Sequence, residues 1–135
     1  MKKRILISED EDIVIQSCLR ILTDDTYQID VARNGLEARE KVAENEYDML
    51  ILDIMMPKMC GMEVLQRVKE THPDVDVIMI TGLNEIESAV KAMKLGAFDY
   101  LPKPFDPEEL EIVVQRAFER RQLLQENVNL KKEVS

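Results

Sequence analysis

The sequence has only two cysteines, one histidine and no tryptophan among its 135 residues. Two cysteines are too few for a disulfide framework, so we expect a reducing compartment and a cytoplasmic protein. One imidazole and two thiols are also too few for a typical structural zinc site.

Long apolar runs are missing too, since stretches such as Met49–Leu52 and Val77–Ile80 have only four residues. A membrane-spanning helix needs about 20 apolar residues. The apolar stretch after the basic start, Ile5–Ile7, is too short for a secretion signal. Basic residues are in the minority, with 18 against 27 acids and a net charge of −9. We therefore expect neither a membrane contact nor direct binding of nucleic acid.

Two hydrophobic periods alternate along the chain. Short apolar segments predict strands, and segments with apolar residues three and four positions apart predict helices. The predicted strands are Arg4–Ser8, Tyr27–Ala32, Tyr47–Asp53, Val75–Thr81 and Phe98–Leu101. The predicted helices are Ile13–Leu22, Gly35–Asn45, Met62–Thr71, Glu85–Leu95 and one that begins at Pro107. This alternation predicts an α/β fold with a flavodoxin-like, doubly wound parallel sheet of five strands, ordered 2-1-3-4-5, and five helices.

The last helix is expected to be longer than the others and to continue almost to the end of the sequence. Residues 1–120 then form the domain, and residues 121–135 extend its last helix. Leu123, Asn127, Leu130 and Val134 have the spacing of a coiled-coil seam. This seam predicts a homodimer. The alternative is a frayed tail, because the seam covers fewer than two heptads.

Ligands of open parallel sheets bind beyond the carboxyl ends of the strands. Polar residues at these ends are Glu9 and Asp10 after the first strand, Asp53, Thr81, and Lys103 after the fifth. Carboxylates this close together repel one another, and oxygen ligands favour Mg²⁺. Asp10 and Asp53 would be direct ligands, Glu9 would bind directly or through water, and a backbone carbonyl after Asp53 would complete the set.

With Mg²⁺ on one side and Lys103 on the other, Asp53 is suited to act as a nucleophile and form an acyl phosphate. Lys103 and Thr81 would then hold phosphoryl oxygens. An aspartyl-phosphate phosphatase is an alternative, but its second aspartate would fall at Met55, which transfers no proton. A flavin or nucleotide site would need Ser, Thr or Gly where this chain has a run of acids. A purely structural dimerisation module is a further alternative. The presence of both Asp53 and Lys103 argues against it.

Over residues 4 to about 120, the sequence strongly resembles the receiver domains of two-component response regulators. The matching motifs are Ile5–Glu11, Leu52–Pro57 with Gly61, Ile80–Gly82 and Gly96–Phe105. The resemblance implies a phosphorylation-activated signalling switch that accepts a phosphoryl group from a sensor histidine kinase. It also implies a regulatory domain rather than an enzyme, one that catalyses only its own phosphotransfer and autodephosphorylation.

By this resemblance Asp53 is the phosphoacceptor, Glu9 and Asp10 are the acid pair, and the Met55 carbonyl is a Mg²⁺ ligand. Many members have Asp where this chain has Glu9, which leaves direct and water-mediated contact with the ion both open. The side chains of Met55 and Leu83 are expected to shield the phosphoaspartate from water.

The resemblance also makes Thr81 the switch hydroxyl, Tyr100 the switch aromatic and Lys103 the partner of the phosphoryl group. The Lys103–Pro104 bond is expected to be cis, which only a bond before proline adopts readily. Phosphorylation is expected to change the face around the fourth helix, the fifth strand and the fifth helix, and so to control dimerisation.

The segment Arg116–Asn127 looks like the linker helix of the sigma-54-dependent activators. In that subfamily the helix leads to an ATPase module and a DNA-binding module, and this chain contains no P-loop pattern. We therefore expect a piece of a longer transcription regulator, with a stand-alone receiver as the alternative.

Overall fold

A computed structural model describes residues 2–23, 25–56, 58–82 and 86–134, with side chains up to Leu124. Within this part, five strands alternate with five helices. The strands are β1 Lys3–Ser8, β2 Tyr27–Ala32, β3 Met49–Asp53, β4 Asp76–Thr81 and β5 Asp99–Pro102. The helices are α1 Asp12–Ile21, α2 Gly35–Glu44, α3 Gly61–Thr71, α4 Ile86–Lys94 and α5 Pro107–Val134.

The strands form one sheet in the order β2-β1-β3-β4-β5, which confirms the prediction. Each neighbouring pair is parallel, and Ile5 on β1 lies opposite both Ile29 on β2 and Met49 on β3. The carboxyl ends of the strands therefore share one edge of the sheet. The strand order reverses between β1 and β3, and ligands of open α/β sheets bind at such a point.

The central strands are buried on both faces because successive side chains point to opposite sides of a sheet. On β3, Leu50 and Leu52 pack with α2 and α3, whereas Met49 and Ile51 pack with α1 and α5. The core face of α5 consists of Leu110, Val113, Val114, Ala117 and Phe118. Each large aliphatic side chain buried in this way contributes about 1.5–3 kcal/mol. The two apolar layers thus leave the carboxyl edge of the sheet for polar residues.

Helix α2 begins with a side-chain cap from Asn34. Asn34 Oδ1 accepts a hydrogen bond from the N–H of Glu37 at 2.8 Å, which satisfies a free donor of the first turn. The Glu37 carboxylate in turn accepts from the N–H of Arg33 at 3.2 Å. A Cβ on Gly35 would lie 2.0 Å from the carbonyl oxygen of Met59, so the start of α2 sits directly against the loop between β3 and α3.

The predicted bounds lie within two residues of the observed ones, a margin at which element ends are ambiguous. The largest difference is at Tyr47, the predicted start of the third strand, because β3 begins at Met49. The Tyr47 hydroxyl instead donates to Asp30 Oδ2 at 2.7 Å, and its ring lies 5.0 Å from the guanidinium carbon of Arg4. Glu85, the predicted start of the fourth helix, lies outside the described residues.

Helix α5 has 28 residues, or about 42 Å at 1.5 Å per residue. Near its middle, the Arg121 guanidinium donates to the carbonyl oxygens of Asp48 at 2.7 Å and Asp74 at 2.9 Å. It also forms an ion pair with the Asp48 carboxylate at 3.5 Å. These contacts attach α5 to the amino edge of the sheet. Among the helices that the structure describes, none has the length and apolar character needed to cross a membrane.

Candidate functional site

The carboxyl edge of the sheet carries the predicted polar residues. Glu9 and Asp10 follow β1, Asp53 ends β3, Thr81 ends β4, and Lys103 follows β5. Glu9, Asp53 and Thr81 are buried, whereas Asp10 is exposed. Polar groups from four strands thus converge at the edge where the strand order reverses.

The ammonium group of Lys103 joins several of these strand ends. Its Nζ lies 3.1 Å from Glu9 Oε2, 2.9 Å from Glu11 Oε1 and 3.1 Å from Asp53 Oδ2. Burial lowers the pKa of Lys103, but the hydrogen bond to Glu11 and the charges of the two buried acids outweigh it and raise that pKa. The bond between Lys103 and Pro104 is cis, which confirms the prediction. Lys103 is therefore a permanent positive charge held between β1 and β3.

Four carboxylates cluster at this site, since Glu9, Asp10, Glu11 and Asp53 each place an oxygen within 4.8 Å of the others. Glu9 Oε2 is buried and, within the described part of the chain, makes no hydrogen bond beyond its ion pair with Lys103. Burial, followed by the neighbouring Asp53 carboxylate, raises the pKa of Glu9 to about 8. Hard oxygen donors and a buried oxygen without a hydrogen bond fit a divalent cation such as Mg²⁺, which would relieve the repulsion among the acids.

The loop after Asp53 stays close to the acids. The Met55 N–H donates to Asp53 Oδ1 at 3.2 Å, while the Met55 side chain is 63% exposed. Gly61 at the start of α3 permits this close approach, because a Cβ there would lie 2.2 Å from the Asp53 carbonyl oxygen. Pro57 and Leu83, which the sequence places near the site, lie outside the described residues.

Thr81 and Tyr100 lie on the two strands beyond β3. Asp53 is paired with Ile80 across β3 and β4, so Thr81 is one residue beyond the partner of Asp53. The Thr81 carbonyl accepts a hydrogen bond from the backbone N–H of Lys103 at 2.6 Å. Tyr100 is 40% exposed on the edge strand β5. The structure thus places Thr81 at the site and Tyr100 on an adjacent open surface.

Sequence analysis missed Glu11 as a site residue. Its Oε1 is the carboxylate oxygen nearest to Lys103 Nζ, although its side chain is 61% exposed. The available signal was the unbroken run of acids from Glu9 to Asp12. Asp12, the next acid, pairs with Arg33 instead. Glu11 and Asp12 are adjacent in sequence but pair with different residues. The path of the loop after β1 therefore decides which acid contacts Lys103.

Comparison with known proteins identifies the family. The family model of the response regulator receiver domain matches residues 5–115. The chain belongs to this family, as the resemblance predicted. Receiver domains are regulatory phosphoacceptors of phosphorylation-based signalling and typically use Mg²⁺ at their acidic pocket.

The similar proteins are longer than this chain. It is 37% identical over 127 residues to the response regulator MprA of Mycobacterium ulcerans (strain Agy99), covering 94% of this chain and 54% of that protein. It is 38% identical over 132 residues to the NtrX-like response regulator of Rickettsia bellii (strain RML369-C), covering 96% of this chain and 28% of that protein. The chain spans about half of MprA, since the matched share is 54%.

A solved structure supports the same assignment. NtrX from Brucella abortus, in complex with ADP, superposes with a TM-score of 0.87 at 31% identity, covering 96% of this chain and 30% of that chain. The NtrX relatives confirm the resemblance to the sigma-54-dependent activator subfamily.

Proposed function

We propose that this chain is a phosphorylation-activated switch in which Asp53 accepts a phosphoryl group from a sensor histidine kinase with Mg²⁺. The observation that carries this proposal is the position of Asp53. Its side chain is buried at the end of β3, 3.1 Å from the Lys103 ammonium and within the cluster of acids. A buried carboxylate between a fixed cation and a cation-binding cluster is suited to attack phosphorus and to hold the product.

The covalent step exchanges one bond at phosphorus for another. An Asp53 carboxylate oxygen forms the new bond to phosphorus. The bond from phosphorus to the donor breaks, a P–N bond in phosphohistidine or a P–O bond in an acyl phosphate, and its electron pair leaves with the donor. Lys103 transfers one of its N–H hydrogen bonds to a phosphoryl oxygen and offsets part of the arriving charge.

Glu9, Asp10 and Asp53 would hold Mg²⁺ together with the backbone carbonyl of Met55, with Glu9 bound directly or through water. The bound ion supplies Lewis-acid stabilisation of phosphoryl charge. The protein's own part is to keep these oxygens close together, and the Asp53–Met55 turn does this by fixing the loop that carries the carbonyl.

We propose that Thr81 and Tyr100 transmit the modification. A phosphoryl group on Asp53 offers the Thr81 hydroxyl a new acceptor, and the movement of Thr81 vacates space that Tyr100 fills by turning inward. Val90 and Met93 on α4 are exposed apolar residues, as Tyr100 on β5 is an exposed aromatic one. The surface formed by α4, β5 and α5 therefore changes between two packings, which is a shift in population.

The proposed output is control of a homodimer and of modules that lie elsewhere in the full protein. Residues 1–120 would be the receiver, and residues 121–135 would begin a linker helix. The relatives support further modules, because the chain covers only 28% of the NtrX-like protein. An ATPase module and a DNA-binding module are the proposed partners of the linker, and the receiver itself would not contact nucleic acid.

Incubation with acetyl phosphate and Mg²⁺, followed by intact-mass spectrometry, tests the proposal. The parent protein should gain the mass of one phosphoryl group, and Asp53→Asn should gain none. The matched control is Asp12→Asn, which removes one exposed carboxylate outside the lysine contacts and should be phosphorylated like the parent. Phosphorylation of Asp53→Asn, or none of the parent, would contradict the proposed function.

A further inference from the structure

Lys103 has no free hydrogen-bond donor for an arriving phosphoryl group. An ammonium group carries three N–H donors. Its Nζ lies within 3.2 Å of carboxylate oxygens from three residues, Glu9, Glu11 and Asp53. A phosphoryl oxygen on Asp53 can therefore reach Lys103 fully only if one of the other two carboxylates gives up its contact.

Burial decides which carboxylate yields. The Glu9 side chain is completely buried, so losing Lys103 would take the ammonium hydrogen bond from its carboxyl group where no water can replace it. The Glu11 side chain is 61% exposed, so water can replace the lysine there at little cost. Besides the lysine contact, the hydrogen bond that the structure describes between Glu11 and the buried acids runs from its backbone N–H to Glu9 Oε1 at 3.1 Å. The Glu11 side chain can therefore swing outward without disturbing the buried acids.

We infer that Glu11 is a positioning residue that holds Lys103 in the unphosphorylated state and releases it when Asp53 accepts the phosphoryl group. This inference rests on the proposed function. In the resting protein, the Glu11 carboxylate occupies the donor that the phosphoryl oxygen needs and adds negative charge where an anionic donor must enter. Glu11 therefore slows phosphorylation, which is the opposite of what a required Mg²⁺ ligand does.

Substitutions at Glu11 separate the effect of its contact with Lys103 from the effect of its negative charge. Glu11→Gln removes the charge and weakens the contact with Lys103. Glu11→Asp keeps the charge but withdraws the carboxylate by one methylene group. Asp12→Asn removes an adjacent charge that pairs with Arg33 rather than Lys103.

The experiment measures the phosphorylation rate of each variant with acetyl phosphate by intact-mass spectrometry, and the dissociation constant for Mg²⁺ by calorimetry. Glu11→Gln and Glu11→Asp should both be phosphorylated at least about threefold faster than the parent, the scale of a lost exposed ion pair. Asp12→Asn should match the parent. Mg²⁺ affinity of Glu11→Asp should stay within about twofold of the parent, because the charge near the metal is kept.

Each other outcome overturns the inference. A slower Glu11→Gln with Mg²⁺ binding weakened about tenfold or more would make Glu11 a metal ligand. Faster phosphorylation of Glu11→Gln, with Glu11→Asp at the parent rate, would show that the negative charge of Glu11 repels the phosphoryl donor. The contact between Glu11 and Lys103 would then have no role. Rates equal to the parent in both variants would remove Glu11 from the mechanism. A parent that gains no phosphoryl mass would instead overturn the proposed function, and this inference with it.

Discussion

At the scale of single residues, the site contains one carboxyl group that is costly to ionise. Glu9 is buried beside Asp53, and its pKa is raised from 4.5 to about 8 by burial first and by Asp53 second. Well below pH 4.5 the group is protonated in both the folded and the unfolded protein. Between the two pKa values the unfolded chain releases the proton and the folded protein retains it, so the free energy of unfolding falls as pH rises.

Replacing Glu9 by Gln should therefore stabilise the protein when no Mg²⁺ is present, and the gain should grow with pH. Thermal unfolding in EDTA should show little difference between Glu9→Gln and the parent at about pH 5 and a higher Tm for the variant, by several degrees, at about pH 8. The control is Glu40→Gln, an exposed residue on α2. A gain that is the same at both pH values would mean that Glu9 ionises normally in the folded protein.

At the scale of elements, α5 is attached to the sheet by an arginine as well as by its apolar face. Arg121 bonds carbonyl oxygens at the amino edge of the sheet and lies 3.9 Å from the buried carboxylate of Asp76. Burial raises the pKa of Asp76, and Arg121 is the strongest opposing charge. The contacts of α5 with the domain therefore continue at least to Arg121, and they determine the direction in which the helix leaves the sheet.

Arg121→Ala should lower the free energy of unfolding by about 1–3 kcal/mol, because two carbonyl hydrogen bonds and a partner of Asp76 are lost. The loss should shrink as pH falls, since a protonated Asp76 needs no cation. Thermal unfolding at neutral and acid pH measures both effects. The matched control is Arg116→Ala, which removes an exposed arginine from the same helix. An equal loss of stability in both variants would assign the effect to helix propensity.

At the scale of the whole molecule, the last apolar side chains that the structure describes on α5 lie outside the core. Leu123 and Leu124 are 62% and 52% exposed on α5. The seam predicted from the sequence continues through Asn127, Leu130 and Val134, whose side chains lie outside the described part. Isolated apolar stripes of this kind are typical of interfaces, so a second copy of the chain is the expected partner.

A chain that ends at Gln122 should therefore dimerise more weakly, with the dissociation constant raised about tenfold, or about 1.4 kcal/mol. This end point retains Arg121, so its contacts with the sheet are kept and the comparison isolates the seam. Sedimentation equilibrium with and without beryllofluoride gives the constants, and phosphorylation of Asp53 should stay at the parent rate. Equal dissociation constants for the two lengths would exclude the coiled coil.

Most of the fold follows from the sequence because the two hydrophobic periods are local. Apolar runs such as Met49–Leu52 define buried strands, and alternating strands and helices produce a parallel sheet by short, right-handed connections. The strand ends then share one edge, which is why Glu9, Asp53 and Lys103 could be assigned to one site before any contact was known. The cap of α2 was predictable for the same reason, since Asn34 and Glu37 are close in sequence.

Tertiary structure alone decided the contacts between residues far apart in sequence. The sequence by itself determined that acids follow β1, but not that Glu11 rather than Asp12 would face Lys103, 92 residues beyond Glu11. Arg121 binds backbone carbonyls 73 and 47 positions away, and every residue has such a carbonyl, so no sequence pattern marks the partners. Local periodicity depends on the types of side chain that are close in sequence, so the sequence shows it directly. The path of a loop and the carbonyls that a long side chain reaches depend on how distant segments pack.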